Sequence, residues 1–232
     1  EGDPYSELLV NKSINRIKGR NIFAKVERET LPGSDEGFRI LEIDVEEKAT
    51  GEIMAAAGVG TEGTTFQFSI RENNWLGRGV SLQTSINLST ERIRGNLELA
   101  NPNYNFTGNE VWTALDVSAT DRTGTSGYQS SKSGFNLGTS FEQYENIWFS
   151  PSISISQEDI EAESTASDNI KAMDGGYFNS DFTYGITLDK RNQSFQPTEG
   201  YIASFNQKLP IYSESPSILN GLNYSAYQSF SE

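Results

Sequence analysis

Cysteine and histidine are both missing from the 232 residues. Without a thiolate or an imidazole, the usual tetrahedral zinc centres and every His-based nucleophile triad are excluded. An outer-membrane lipase built on a Ser/His pair goes with them. The lack of cysteine also fits an oxidising compartment, where a stray thiol is a liability. No apolar run approaches the roughly 18 residues that a membrane-crossing helix needs. Hydrophobic residues make up 35% of the chain and mean hydropathy is −0.54. Cations are scarce as well: 18 Lys and Arg stand against 32 Asp and Glu, for a formal charge of −14. Nucleic acid is therefore not an expected partner, because a phosphate backbone is bound by clustered cations. None of these absences excludes a transmembrane β-barrel, in which half of every strand faces water and hydropathy stays low.

What is present is strict alternation. Val80, Leu82, Thr84, Ile86 and Leu88 are interleaved with Ser81, Gln83, Ser85, Asn87 and Ser89. The same period runs through Val111–Ala119, Ile147–Ser156 and Phe178–Leu188. An extended strand places such residues on opposite faces. Each segment is close to the ~9–11 residues that a tilted strand needs to cross a bilayer. The second face is Ser, Asn, Gln, Thr and Gly, which suits a wet lumen better than a packed core. Only a closed sheet satisfies its backbone within lipid.

The first fifty residues differ in kind. Leu9, Val10, Ile14 and Ile17 fall at helical spacing, with Ser6 placed to cap the helix and Gly19 placed to stop it. Two strands are expected at Ile22–Thr30 and Phe38–Glu46, joined by the turn-forming stretch from Leu31 to Gly37. A helix and a hairpin bury little by themselves, so residues 1–48 are expected to be the latter part of a small α/β module. No export signal precedes Glu1, and the expectation is a chain that begins inside a domain.

From residue 49 onward, period and punctuation predict about ten strands: Gly51–Gly60, Thr64–Asn73, Val80–Thr90, Ile93–Asn101, Val111–Arg122, Gln129–Phe141, Ile147–Gln157, Tyr177–Asp189, Tyr201–Leu209 and Leu219–Phe230. The links alternate. Asn74–Gly79, Asn101–Phe106 and Glu142–Asn146 carry aromatics suited to an interface belt, whereas Thr61–Gly63, Thr123–Tyr128 and the acidic Glu158–Gly175 are polar.

Several local patterns have a structural and a functional reading. Gly58, Gly60 and Gly63 match the dinucleotide fingerprint G-x-G-x-x-G, but a strand follows where a helix would be needed to receive phosphate, so a hairpin turn is expected. The strand Gly51, Glu52, Ile53, Met54, Ala55, Ala56, Ala57, Gly58, Val59, Gly60 is unusually small in side chain. The residues alone allow two readings: lumen space, or a weakly held edge. Asp189, Arg191, Pro197 and Gly200 read as a turn with an ion pair pinning strand ends, with no nucleophile or base beside it. Trp75 is expected at the membrane interface, and Trp112 and Trp148, out of phase with the apolar face, at the lumen rim. Glu158, Asp159, Glu161, Glu163 and Asp168 lack EF-hand spacing and are expected in a solvated loop.

The order of these features carries a resemblance: a module ending at Phe38–Glu46, then Thr50 and Gly51, a glycine-bearing strand, the run Asn73–Gly79, and Asn101 with Pro102. The segment Leu188–Arg191 followed by Pro197–Gly200 adds to it. Collinear over essentially the whole chain, it resembles the BamA family of outer-membrane β-barrel assembly factors. The resemblance implies a mainly β fold: residues 1–48 as the end of the last periplasmic POTRA domain, and 49–232 as the first part of an antiparallel transmembrane barrel, about ten strands of sixteen. It implies an outer-membrane location with the N-terminal module in the periplasm. Partners would be unfolded outer-membrane proteins, assembly-complex lipoproteins, periplasmic chaperones and lipid. No cofactor and no covalent chemistry are implied. It also makes Gly51–Gly60 one side of a lateral gate whose unpaired edge templates another strand. The family's Arg-Gly-Phe lid motif and aromatic-ended closing strand are not found, so an open sheet with two edges is expected rather than a self-sufficient barrel. A passive outer-membrane channel and a two-partner secretion translocator are the alternatives. The α/β module feeding the first strand weighs against a simple porin.

Overall fold

A computed structural model describes residues 4–34, 38–60, 63–193 and 196–229. A helix, α1 (Glu7–Gly19), leads into a two-stranded hairpin, β1 (Phe23–Pro32) and β2 (Arg39–Glu47). Ten strands follow: β3 (Gly51–Gly60), β4 (Gly63–Trp75), β5 (Val80–Ser89), β6 (Arg92–Asn101), β7 (Glu110–Asp121), β8 (Tyr128–Tyr144), β9 (Ile147–Ala162), β10 (Gly175–Asp189), β11 (Glu199–Tyr212) and β12 (Leu219–Gln228). They form one antiparallel meander in sequence order, so β3 and β12 are its edges and the sheet is open.

Helix α1 begins where Ser6 stands at the N-cap position, but the Ser6 side chain makes no capping bond; its carbonyl accepts from Val10 N–H at 3.0 Å. The helix stops at Gly19 as expected. Gly19 is the last helical residue, and the left-handed residue that turns the chain is Asn21, φ 56°. Asn is the one common alternative to Gly in that conformation. Ile14 and Ile22 are buried between helix and hairpin, and Arg28 of β1 reaches Glu7 and Asn11 at 2.7 and 3.0 Å.

The register across the sheet turns the sequence alternation into two surfaces. One row of direct neighbours reads Ile53, Ile70, Thr84, Leu97, Leu115, Phe135, Ile155. A neighbouring row of opposite phase reads Glu52, Arg71, Gln83, Glu98, Ala114, Asn136, Ser154, Asp181. The apolar phase is the exposed one: Ile53 is 72% accessible, Leu115 49% and Phe135 43%. Apart from glycines, only Ile14, Ile22, Ala114, Ala166, Thr120 and Asp181 are buried among the described residues. A water-soluble fold would hide this continuous apolar surface; a membrane barrel presents it to lipid.

The polar phase lines the concave side. A cleft of about 820 Å³ is bounded by Asn73 and Ser81 at one side and Trp148 at the other, with Arg16, Ile17 and Arg20 of the helical segment over it. Polar-phase residues from β4 and β5 can share a cleft with one from β9 only if the sheet curls toward them. Within this surface Asp116 accepts from Asn96 and Asn136, both at 3.0 Å, Lys132 meets Glu158 at 3.0 Å, and Lys208 meets Asp181 at 2.8 Å. Trp112 lies over Gly138, its direct neighbour, where a Cβ would stand 2.6 Å from the indole ring. The absent side chain makes room for the ring.

Strand β9 continues beyond the expected end at Gln157. Glu158, Asp159 and Glu161 are not in a loop but are laddered to β8, and Glu158 and Asp159 to β10 as well. Pairing with Lys132 and with strands that also run long outweighs the local preference of acidic residues for loops. Glu163 lies in the following loop, and Asp168 opens a single helical turn, Asp168–Lys171. The turn expected at Thr61 and Glu62 lies outside the described residues.

Candidate functional site

The turns after β4 and β6 and the end of β8 face the helical segment at one end of the sheet. That end is where β3 starts. All ten residues of β3 are exposed. It pairs with β4 from Gly51↔Glu72 to Gly60↔Gly63, and its other side has no partner among the described strands. Its two phases match the wall: Ile53, Ala55, Ala57 and Val59 continue the apolar face, while Glu52, Met54, Ala56, Gly58 and Gly60 continue the polar one. A Cβ at Gly58 would make ordinary contact with Thr65 Oγ1 at 3.5 Å, and one at Gly60 would meet nothing within 4 Å. At Gly58 and Gly60 the small residue is therefore not demanded by packing against β4. An exposed edge of small residues offers main-chain donors and acceptors with little side-chain obstruction.

The root of this strand is held through Arg20 and Glu72, which pattern reading did not single out. Glu72 Oε1 accepts from the Thr50 hydroxyl and from Asn74 N–H at 2.8 Å. Asn74 Oδ1 accepts from Gly79 N–H at 2.6 Å, and the Gly79 carbonyl accepts from Arg20 Nη2 at 2.6 Å. Arg16 approaches Glu142 at 3.6 Å. Gly79 has φ 64°, and a Cβ there would stand 2.6 Å from the Arg20 guanidinium, so glycine serves both the turn and the contact. The only sequence signal was the turn chemistry of Asn73–Gly79. Long-range partners such as Arg20 and Glu72 leave no periodicity.

The turn after β10 gathers Asp189, Arg191 and Gly200. Arg191 Nε and Nη2 donate to Asp189 at 2.8 and 2.6 Å, and Arg191 N–H donates to the same carboxylate at 3.1 Å. The Asp189 carboxylate beside the guanidinium holds the arginine above its ordinary value. Gly200 has φ 93°, and a Cβ there would collide with the Lys190 carbonyl. Pro197 lies in the same turn, where Asn192 Oδ1 takes the N–H groups of Thr198 and Glu199 at 3.2 and 3.3 Å. The ends of β10 and β11 are thereby pinned at this turn, seven and eight strands away from β3. Trp75 sits 42% exposed at its turn, and Trp148 borders the cleft.

An open antiparallel meander with an apolar outer face, a polar concave face and a helical unit at one rim defines a segment of outer-membrane barrel wall. The Omp85 superfamily domain matches residues 74–232, 159 of the 232 residues, and the chain belongs to that superfamily. This membership places it in the outer membrane. BamA from Haemophilus ducreyi lacking POTRA domains 1–3 is similar in fold, with a TM-score of 0.68 at 18% identity over 94% of this chain and 45% of that one. CdiB from Acinetobacter baumannii follows with a TM-score of 0.58 at 11% identity, over 90% and 41%. The chain thus spans less than half the length of either structure.

Proposed function

We propose that the chain is the gate-bearing part of an outer-membrane β-barrel insertase. Its first wall strand, β3, templates the strand of an incoming membrane protein. The supporting observation is the one-sided pairing of β3, all ten residues exposed, with a phase that continues the wall. An extended segment added there extends both the hydrogen-bond ladder and the lipid-facing surface. Burial of the client's apolar face and satisfaction of its backbone drive the process, so neither nucleotide nor covalent chemistry is required. In this proposal residues 1–48 are the end of a periplasmic POTRA module that receives unfolded clients from chaperones, alongside accessory lipoproteins, and 49–232 form the barrel wall.

The test is a lock. In a protein carrying this chain within a whole barrel, Ile53→Cys or Ala55→Cys is paired with a cysteine on the closing strand; the lack of native cysteine keeps the pairing clean. Oxidation is expected to stop client insertion, and reduction to restore it. Undiminished insertion with the seam covalently closed overturns the proposal and leaves the passive channel or the secretion translocator.

A further inference from the structure

We infer that Arg20 and Glu72 are positioning residues that couple the helix–hairpin unit to the root of β3. The inference rests on the proposed role of β3 as the exchanging edge. It deepens that role by naming what sets the edge's freedom.

The contacts form one unbroken path. Arg20, just beyond the end of α1, donates to the carbonyl of Gly79 in the β4–β5 turn. Gly79 donates its N–H to the Asn74 side chain at the start of that turn, and Asn74 donates its own N–H to Glu72. The same oxygen of Glu72 accepts from Thr50, the residue before β3 begins. Glu72 is also the direct partner of Gly51, where a Cβ would stand 3.1 Å from the second carboxylate oxygen. Glycine at 51 leaves the space through which that carboxylate reaches Thr50.

Hydrogen bonds to an ionised acceptor are stronger than neutral ones, and charge-assisted links hold geometry. The path has such a link at both ends: a guanidinium on Gly79 and a carboxylate on Thr50. Among the described residues the far end of β3 has nothing comparable. Its side-chain contact to β4 is Thr65 Oγ1 to the Gly58 carbonyl at 3.3 Å, between exposed groups. The strand is therefore fastened at the rim that carries the helix and loosely held at the opposite rim. If the helix–hairpin unit swings away, Arg20 releases the turn, and the fastening of Gly51 and Glu52 weakens with it. A client would then find the near end of the edge free only when the unit has moved. The Arg16 contact with Glu142 lies on the same helix but ends on β8, so it fixes the unit without touching this path.

The experiment is amide hydrogen exchange in lipid nanodiscs on a whole barrel carrying this chain, comparing the wild type with Arg20→Ala, Arg20→Lys, Glu72→Ala, Glu72→Gln and the Arg20→Ala/Glu72→Ala double variant. Exchange of residues 51–55 is expected to rise about tenfold in E72A and about threefold in R20A, with β8 and β9 unchanged. Glu72→Gln keeps an acceptor for Thr50 and Asn74, and Arg20→Lys keeps a donor for Gly79, so both conservative variants are expected near wild type. The double variant is expected to match E72A alone, because a single path is broken only once. Wild-type exchange at 51–55 in R20A overturns the coupling, as does an additive double variant. A rise spread over β8 and β9 shows general destabilisation and overturns it too. The readout needs no client, so its failure leaves the disulfide lock as an independent test of insertion.

Discussion

Strand β3 and the β8–β9 pair belong to the same wall and are built to opposite ends. The strand β3 has ten residues, five of them Gly or Ala between Ala55 and Gly60, and one neighbour. Strands β8 and β9 run 17 and 16 residues with a neighbour on each side. Their shared ladder is reinforced by side chains: Phe141 against Phe149 at 5.7 Å, Ser140 to Ser150 at 2.8 Å and Lys132 to Glu158 at 3.0 Å. Against β4, β3 has one strand-to-strand side-chain bond among the described residues, at Gly58. Local opening free energy falls where apolar contacts are few and backbone bonds are exposed. The wall therefore has a stable middle and a cheaply opened edge, and the edge is where strand exchange is proposed.

The largest expected effect breaks the comparison at its core. Backbone amides of β3 are expected to exchange about a hundredfold faster than those of β8 and β9 in nanodiscs, a difference of about 3 kcal/mol in opening. Equal protection in mass-spectrometric exchange would mean that the edge is not the weak element.

Glycine substitutions sharpen the contrast at individual positions. Gly138→Val drives a Cβ into the Trp112 ring and is expected to lose about 1–3 kcal/mol in urea unfolding followed by tryptophan emission. Gly58→Ala meets only Thr65 at 3.5 Å. It is expected to be neutral or to gain about 0.5 kcal/mol, because alanine restricts the unfolded chain without a native clash. A larger loss at Gly58 than at Gly138 would reverse the assignment of which glycines are packed.

The side-chain network of the middle is expected to matter less than its packing. Lys132→Met removes a half-exposed ion pair with Glu158 and is expected to cost about 0.2–1 kcal/mol by the same unfolding measurement. A loss above that of Gly138→Val would make the polar face the main support of the wall.

The smallest effect lies outside the wall, where α1 meets β1. Hydrogen bonds from Tyr5 and Arg28 hold the Glu7 carboxyl below its ordinary value of 4.5. A carboxyl lowered in the folded state adds stability that is present above its unfolded pKa and is lost as pH falls through the lower folded one. Docking of α1 on the hairpin is thus expected to be unchanged from pH 7 to 5 and to loosen below about 4. A spin label at Leu9→Cys should become more mobile over that interval, and Glu7→Gln should abolish the pH dependence. Mobility that changes between pH 7 and 5 would implicate a different group.

Alternation made most of the wall readable in advance, and for a physical reason. In lipid the apolar face meets no protein partner, so outward positions are mostly apolar whatever the neighbouring strands are. The period is then legible strand by strand: β3 has the expected bounds, and β5 starts at Val80 and β10 ends at Asp189 as expected. Legibility ended where strands leave the membrane. Glu158–Ala162 extends β9 because neighbouring strands and Lys132 stand beside it, and a carboxylate-rich stretch gives no local sign of that. At the helix end the turn falls to Asn21, although Gly19 is the better left-handed residue by local preference.

Residue order alone determined the alternating faces, the punctuation, the small side chains of β3 and the glycines that make tight turns possible. Each of these is local, set by a period of two or by the steric freedom of one backbone position. Only the assembled sheet decided that β3 is an edge, that Trp112 lies on Gly138, and that Arg20 reaches Gly79 across 59 residues of sequence to stand on a path ending at Thr50. Strand pairing and charge-assisted bonds between distant residues depend on where the chain returns in space, and no local pattern encodes that return.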